Sequence, residues 1–429
     1  MDEGGIQSSL ALFRRRKVEL GEERIEFVEH RPISHPGKKS VIVFSIQDRS
    51  PRYIDFKRSR FQVEYRILND KGLPINLEAD NVAMINLPHS TAFRQCDVLI
   101  QQIDINPDIG INYAYKAYID ALLNFSEDDK ESHLQSEGFY TDTAHAVNSN
   151  DPKDRMNVGL YMRSLLTNNG SSALLSGPLY HDAFQLDRYL LNNVPILIRL
   201  QPASDAFALI SPNSGYQLEI VSATLEMCHV HVNPDVVAMH NDGLKLSPAI
   251  YPFTKSDIKT YSAPAGVTSF TANNLFQGRV PSRLVVGLTP EHGYSGTYQT
   301  NPLYFPHMSV NYMAFTVNGV SRPSQPFMPD FKNNKYVISY LSLYRSMGSN
   351  RKNTGNYIGY NDYPAGYALH VFDVHSTEDL GVHAKRSHGQ TMLDIKFAEP
   401  LNEPATVVVY ASFSGVIEID SSRNVSVKL

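Results

Sequence analysis

The chain has no tryptophan and only two cysteines, Cys96 and Cys228, in 429 residues. Two thiols cannot build a disulfide framework, and a reducing compartment is the simplest inference. Charged residues are also scarce, at 19%, against roughly 25% in ordinary soluble domains. The net charge of −5 provides no global positive field to hold nucleic acid. No apolar run reaches the length of about 18 residues that a membrane helix needs. No apolar h-region follows Met1, so the expectation is a protein that is not secreted. The usual catalytic signatures are missing too: there is no G-x-S-x-G elbow, P-loop, GxGxxG fingerprint, HExxH or CxxC pair. Their joint absence argues against an enzyme. The sequence reading therefore assigns no catalytic, cofactor-binding or metal-binding residue and expects no cofactor.

What is present in excess is the smaller aromatics, 24 Tyr and 20 Phe. Tyr carries a large apolar face with a polar tip and is enriched where protein meets protein. It is equally at home in β-strands, and composition alone does not separate the two explanations. At 42% hydrophobic the chain can bury a sizeable core. Its length suggests two or three domains, two large β domains included.

Residues 1–35 read as an arm. Arg14-Arg15-Arg16-Lys17 is the sharpest charge run, but Glu19, Glu22, Glu23, Glu26 and Glu29 cancel it at once. That balance argues against nucleic-acid contact. A solvated tail, or a segment pinned to a neighbouring subunit, is the plainer reading. Strands begin at Val41–Phe44, a short apolar run expected to be buried on both faces. Phe61–Ile67 alternates strictly, Asp97–Ile103 makes another strand, and Asn106-Pro107-Asp108 breaks it. Tyr115, Tyr118, Ile119, Leu122 and Leu123 then fall on one helical stripe, with Asn112 as the expected N-cap and an end near Asn124. Residues 126–157 are polar and read as a long surface loop. Further strands are expected at 159–166, 173–179, 194–200 and 217–232, the last long enough for two strands or one bent one. A boundary follows at 233–248, with a short helix after Pro234.

The second half repeats the layout of the first. A strand at Arg283–Thr289 leads through a turn-rich loop to a strand at Ser309–Val317. A helix follows, marked by Tyr336, Tyr340, Leu343, Tyr344 and Met347. Phe61 and Arg283 are separated by 222 residues, and so are Tyr113 and Lys335. A duplicated β domain, each copy with a helix on a long connection, explains the shared offset. It implies two edge-protected sandwiches rather than one open sheet. The expected units are an arm (1–35), a first β domain (36–233), a linker (234–254) and a second β domain (255–429).

A few clusters could carry chemistry. Cys228-His229-Val230-His231 is the most metal-like, because His229 and His231 share one face of a strand. Asp235 lies at a suitable offset, but Pro234 ends the strand before it. His181-Asp182 and His375-Ser376-Thr377-Glu378-Asp379 bring catalytic residue types together, although adjacency in sequence is not geometry. Pro323, Pro326 and Pro329 suggest a stiff extended connection. The Gly- and Tyr-rich loop through Gly293, Tyr294 and Gly296 is a candidate for subunit or lattice contact.

Four blocks, taken in order, resemble the major capsid proteins of Polinton (Maverick) elements and adintoviruses. They are Asn112–Tyr118 with Lys130–Leu134; Asp187–Asn192; Gly278–Leu288 with Asn301-Pro302 and Phe305; and Lys396–Glu399 with Val416–Asp420. The resemblance implies an all-β double jelly roll, two eight-stranded antiparallel sandwiches side by side with short helices on long connections. It implies a homotrimeric, pseudo-hexagonal capsomer built into an icosahedral shell. The partners would then be the chain itself, neighbouring capsomers, and penton and minor capsid proteins. The location would be the virion, with synthesis in the host cytoplasm or nucleus. Two other readings stay open: a carbohydrate-binding or carbohydrate-active β-sandwich, and a capsid copy domesticated in a cellular genome.

Overall fold

The structure is a computed structural model that describes residues 21–33, 40–47, 50–76, 78–345, 355–374 and 388–428. Among the described residues, sixteen strands and a closing one make four antiparallel sheets that pair into two sandwiches, beside a two-stranded ribbon of Ala83–Met84 with Leu209–Ile210. In the first half they are β1 (Glu22–His30), β2 (Ile42–Ile46), β3 (Tyr53–Leu68), β4 (Phe93–Ile100), β5 (Ile103–Asp104), β6 (Ala173–Gly177), β7 (Ile196–Pro202) and β8 (Gln217–Val232). Their spatial orders are β1-β8-β3-β6 and β2-β7-β4-β5. The second half supplies β9 (Ala249–Ala263), β10 (Ser269–Asn273), β11 (Arg283–Pro290), β12 (Val310–Val317), β13 (Val320–Ser321), β14 (His370–Asp373), β15 (Thr391–Phe397) and β16 (Ala405–Ile419). Their orders are β9-β16-β11-β14 and β10-β15-β12-β13, with a closing strand β17 (Val425–Lys428) beside β16. Each strand of the second sandwich holds the place of the strand eight positions earlier. β3 and β11 are counterparts and end at Leu68 and Pro290, which preserves the 222-residue offset.

The strands follow their sequence patterns with instructive exceptions. Alternation puts Phe61, Val63, Tyr65 and Ile67 of β3 inside the first sandwich. Strand β2 is buried on one face only: Ile42, Phe44 and Ile46 point in, while Val43 and Ser45 are half-buried. β8 is one strand, bent by bulges between Ile220 and Ser222 and between Glu226 and Cys228. β1 falls within the stretch expected to be an arm, and it pairs with β8 from Glu22 to His30. β9 starts at Ala249, inside the stretch expected to be a linker.

Residues 159–166 are not a strand. Val158–Leu165 forms a helix, capped by the Asn157 side chain accepting from the Leu160 N–H at 3.2 Å. Its apolar residues mislead, because Val158, Met162 and Leu165 face outward. The buried face carries Gly159, Leu160, Arg163 and Ser164 instead. Gly159 is needed there, since a Cβ would lie 2.5 Å from the Thr141 carbonyl oxygen. The helices used below are α1 (Tyr113–Asn124), α2 (Val158–Leu165), α3 (Pro234–Leu244) and α4 (Val337–Arg345). α1 follows β5 and α4 follows β13, so they too occupy equivalent places in the two halves.

Two apolar cores result. One fills the second sandwich, with Leu284, Val286, Leu288, Val407, Val409 and Phe413 among its members. The other fills the first sandwich and continues across the junction to Val285, Val408 and Tyr410. Alternate residues of β11 and β16 therefore serve different cores, which accounts for the unbroken apolar runs in their sequences.

Candidate functional site

The junction between the sandwiches is built around α1. Sequence periodicity gives this helix a single apolar stripe, yet every residue from Tyr113 to Leu123 is buried. The second sandwich covers the face that would otherwise meet water. Two charged residues therefore sit in the interior. The Lys116 ammonium lies 2.8 Å from an Asp120 carboxylate oxygen and 3.2 Å from Asp182. Burial alone would pull this ammonium down; the two carboxylates outweigh it and hold Lys116 well above the usual lysine range. Burial likewise opposes the charge on Asp182. Lys116 and donors from Ser256 overcome that and keep its pKa below the ordinary carboxylate value.

The remaining partners come from both halves of the chain. The Ser256 N–H and hydroxyl donate to Asp182 at 2.7 and 2.9 Å. The Tyr410 hydroxyl donates to Asp120 at 2.9 Å. The Asn106 amide donates to Asp182 and to the Ser256 carbonyl. A buried polar network of this kind stabilises only when its members are paired, so it fixes one relative placement of the two sandwiches. The fold thus recruits Asp182 for structure rather than for catalysis beside His181. His181 is buried, its pKa is pushed down to about 4 by desolvation, and its Nδ1 accepts from the Ala183 N–H.

Aromatic contacts extend the junction. Tyr294 stacks on Tyr115 with ring centroids 5.6 Å apart and donates to the Asn112 side chain at 3.1 Å. Asn112 stands at the start of α1, but its side chain makes no cap bond and reaches the second sandwich instead. The loop through Gly293, Tyr294 and Gly296 therefore faces the first sandwich of the same chain. A Cβ on Gly296 would lie 3.1 Å from Phe207. Tyr118 stacks against Phe305, and the Tyr115 hydroxyl donates to the Pro302 carbonyl.

Residues 126–157 prove to be packed structure as well. The Arg163 guanidinium of α2 pairs with Asp142 at 2.8 Å, both side chains fully buried. The Asp142 carbonyl accepts from Tyr367, and Asn301 holds Val147 and Asn148. Lys130 donates to carbonyls of Leu122 and Asn356, one from each half, and burial pulls its pKa down to about 7. Sequence reading missed these residues because polarity alone marks a loop as exposed. Here the charged groups are satisfied by partners distant in sequence, some of them across the junction, and such pairing leaves no periodic signal.

Glu137 in this segment is pushed up to about 8 by burial, and it accepts from the Tyr180 hydroxyl at 3.0 Å. It packs where Gly177 has no side chain; a Cβ there would lie 2.4 Å from Glu137 Cδ. The folded chain holds a proton on Glu137 between about pH 4.5 and 8 that the unfolded chain has released. The associated stability is complete below the unfolded pKa and is lost as pH rises through the folded one. Glu137→Gln should match the parent near pH 4 and gain on it progressively up to pH 9, by roughly 2–4 kcal/mol. Urea melts across that range would show the divergence, and parallel curves would refute a neutral Glu137.

The other candidates are dispersed. Among the described residues no group of three or more His, Cys, Asp or Glu is placed to hold a metal ion. His231 lies 3.1 Å from Glu26 of β1, whereas His229 is buried with its ring 6.0 Å from that of His30. Cys96 and Cys228 are both free and buried. Pro323 to Pro329 is interrupted at Phe327, which pairs with Met313. His375–Asp379 lies outside the described residues. Among the described residues no helix is long and apolar enough to cross a membrane.

No family model matches the chain. The uncharacterized protein F54H12.2 of Caenorhabditis elegans is 25% identical over 409 residues, covering 89% of this chain and 91% of that protein. Solved structures align along nearly the full length. A chain of the Sputnik virophage structure matches with a TM-score of 0.61 at 14% identity, covering 100% of this chain and 93% of its own. The PBCV-1 virus capsid model gives 0.62 at 10% identity, over 97% and 98%. The mavirus major capsid protein gives 0.52 at 12% identity, over 99% and 93%. The fold is a double jelly roll. The repeated sheet order is therefore a pair of rolls, and the Lys116 network is the seam that locks one roll against the other.

Proposed function

We propose that this chain is a major capsid protein whose work is assembly rather than catalysis. The observation that carries this reading is the pair of equivalent rolls locked into one block by a buried seam. Two like rolls side by side, taken three times about an axis, give six nearly equivalent prisms. That is a pseudo-hexagonal tile with edges suited to a shell. Closure about a three-fold axis requires two different patches to meet. Exposed apolar side chains on α2 (Val158, Met162, Leu165) and α4 (Val337, Ile338) supply contact surface of the kind such joints need. Many modest contacts of this sort add up in a closed shell. Penton and minor proteins would complete the particle, and the virion would be its location.

The fold match to the Sputnik virophage structure, the PBCV-1 capsid and the mavirus major capsid protein along nearly the whole chain supports the same reading. The Caenorhabditis elegans relative favours a related reading, a copy of such a chain carried in a cellular genome. Light scattering on the purified protein should give about 144 kDa, three times the 48.1 kDa chain. Negative-stain images should show hexagonal tiles. A clean monomer at tens of micromolar would refute the trimer.

A further inference from the structure

The junction between the rolls opens into a cavity of about 1000 Å³. Residues 126–143 of the first half form one wall, and α4 with residues 355–367 of the second half forms another. Two buried donors line it. Asn356 is 0% exposed, and among the described residues its Nδ2 meets no hydrogen-bond partner. Its Oδ1 accepts from the Ile358 N–H at 3.2 Å, which fixes the amide and leaves the NH2 group over. Lys130 is 3% exposed and directs two of its three hydrogens at the Leu122 and Asn356 carbonyls, 2.7 and 2.5 Å away. A buried amide donor without a partner is costly, and it marks a place where a group from outside the chain completes the pairing.

The rest of the lining is of a different kind. Glu127, Asp128 and Glu131 are exposed, and Asp362 is half-buried. The Tyr340 and Tyr344 hydroxyls both donate to the Ile358 carbonyl, at 3.0 and 2.8 Å, and so hold their rings in place at the cavity. Tyr357, 43% exposed, adds a third ring. This lining selects on charge. An anion meets four carboxylates, and a cation that passes them meets Lys130. An uncharged ligand rich in hydroxyls suits both sets, because a hydroxyl donates to a carboxylate and accepts from an amide or an ammonium. Its C–H faces would lie against the tyrosine rings. We propose that the cavity between residues 126–143 and α4 binds the end of an uncharged oligosaccharide.

Calorimetric titration of the full-length protein tests this with maltotriose, cellotriose and tri-N-acetylchitotriose. Two charged probes of similar size, sialyllactose and the glucosamine trimer, run beside them. At least one neutral trisaccharide should bind at least roughly tenfold more tightly than either charged probe. Tyr357→Ala should weaken that binding roughly two- to tenfold. Asn356→Leu, which removes the unpaired donor, should weaken it at least as much. Near-UV circular dichroism identifies a variant that has lost its fold; the exposed Tyr357 keeps the test decisive if Asn356→Leu has. Failure of all three neutral probes would overturn the proposal, as would a charged probe that binds equally well. Neutral binding untouched by Tyr357→Ala would place the sugar elsewhere and overturn the assignment of the cavity. None of these outcomes bears on whether the protein is a trimer, so this proposal and the capsid reading can fail separately.

Discussion

Lys116→Met should lower stability by about 3–5 kcal/mol, the usual effect of removing one partner from a buried charge network. Methionine fills nearly the same space, so the loss is electrostatic rather than steric. Without the ammonium, the carboxylates of Asp120 and Asp182 are buried with only neutral donors around them: Ser256, Asn106 and Tyr410. At least one of them must then take up a proton in order to fold. The folded variant will bind a proton that the unfolded chain lacks, so its deficit should shrink as pH falls from 7 towards 4. In the parent the sign is opposite: Asp182 is held below its ordinary pKa, and its contribution fades as pH falls through that value. Asp120→Asn and Asp182→Asn added to Lys116→Met should restore most of the loss, because a neutral set leaves no charge unpaired. Chemical melts of the three proteins at pH 7 and pH 4.5 are sufficient. A Lys116→Met protein as stable as the parent at both pH values would mean that the seam does not hold the rolls.

The seam also explains which features could be read from sequence. β-strand alternation in Phe61–Ile67 and the apolar run in Arg283–Thr289 were legible because each strand writes its burial directly into its own residues. The common offset linking Phe61 to Arg283 was legible because duplication preserves spacing even when identity is gone. The boundaries were less so, since β1 lies in a stretch whose charge suggested an arm. Helix α2 was missed because its outward face is the apolar one. The packed loop of 126–157 was missed because Lys130, Glu137 and Asp142 are stabilised by groups far away in sequence. Lys116 and Asp120 lie one turn apart, a spacing that solvent-exposed ion pairs share. Only the distance to Asp182 and the cover of Ser256 and Tyr410 reveal a buried junction.

Val285→Asp should abolish folding altogether. Val285 is 1% exposed at the centre of β11, paired with Val371 on one side and Tyr410 on the other. Its side chain points into the core that spans the seam, whereas Leu284 and Val286 point into the second roll. Burying even an uncharged polar group there without a partner costs roughly 2–7 kcal/mol, and a carboxylate more. That is comparable with the whole stability of a typical domain, about 5–15 kcal/mol. The neighbouring strands offer no relief, because the backbone donors of β11 are already engaged with β14 and β16. Leu174→Asp provides the control: Leu174 is also on a strand, but 67% exposed, and its replacement should change stability by less than about 0.5 kcal/mol. The expected result is insoluble or molten Val285→Asp protein beside a fully folded Leu174→Asp protein, judged by near-UV circular dichroism and light scattering. A soluble, assembled Val285→Asp protein would show that β11 does not sit between two cores, and the account of the seam would fall with it.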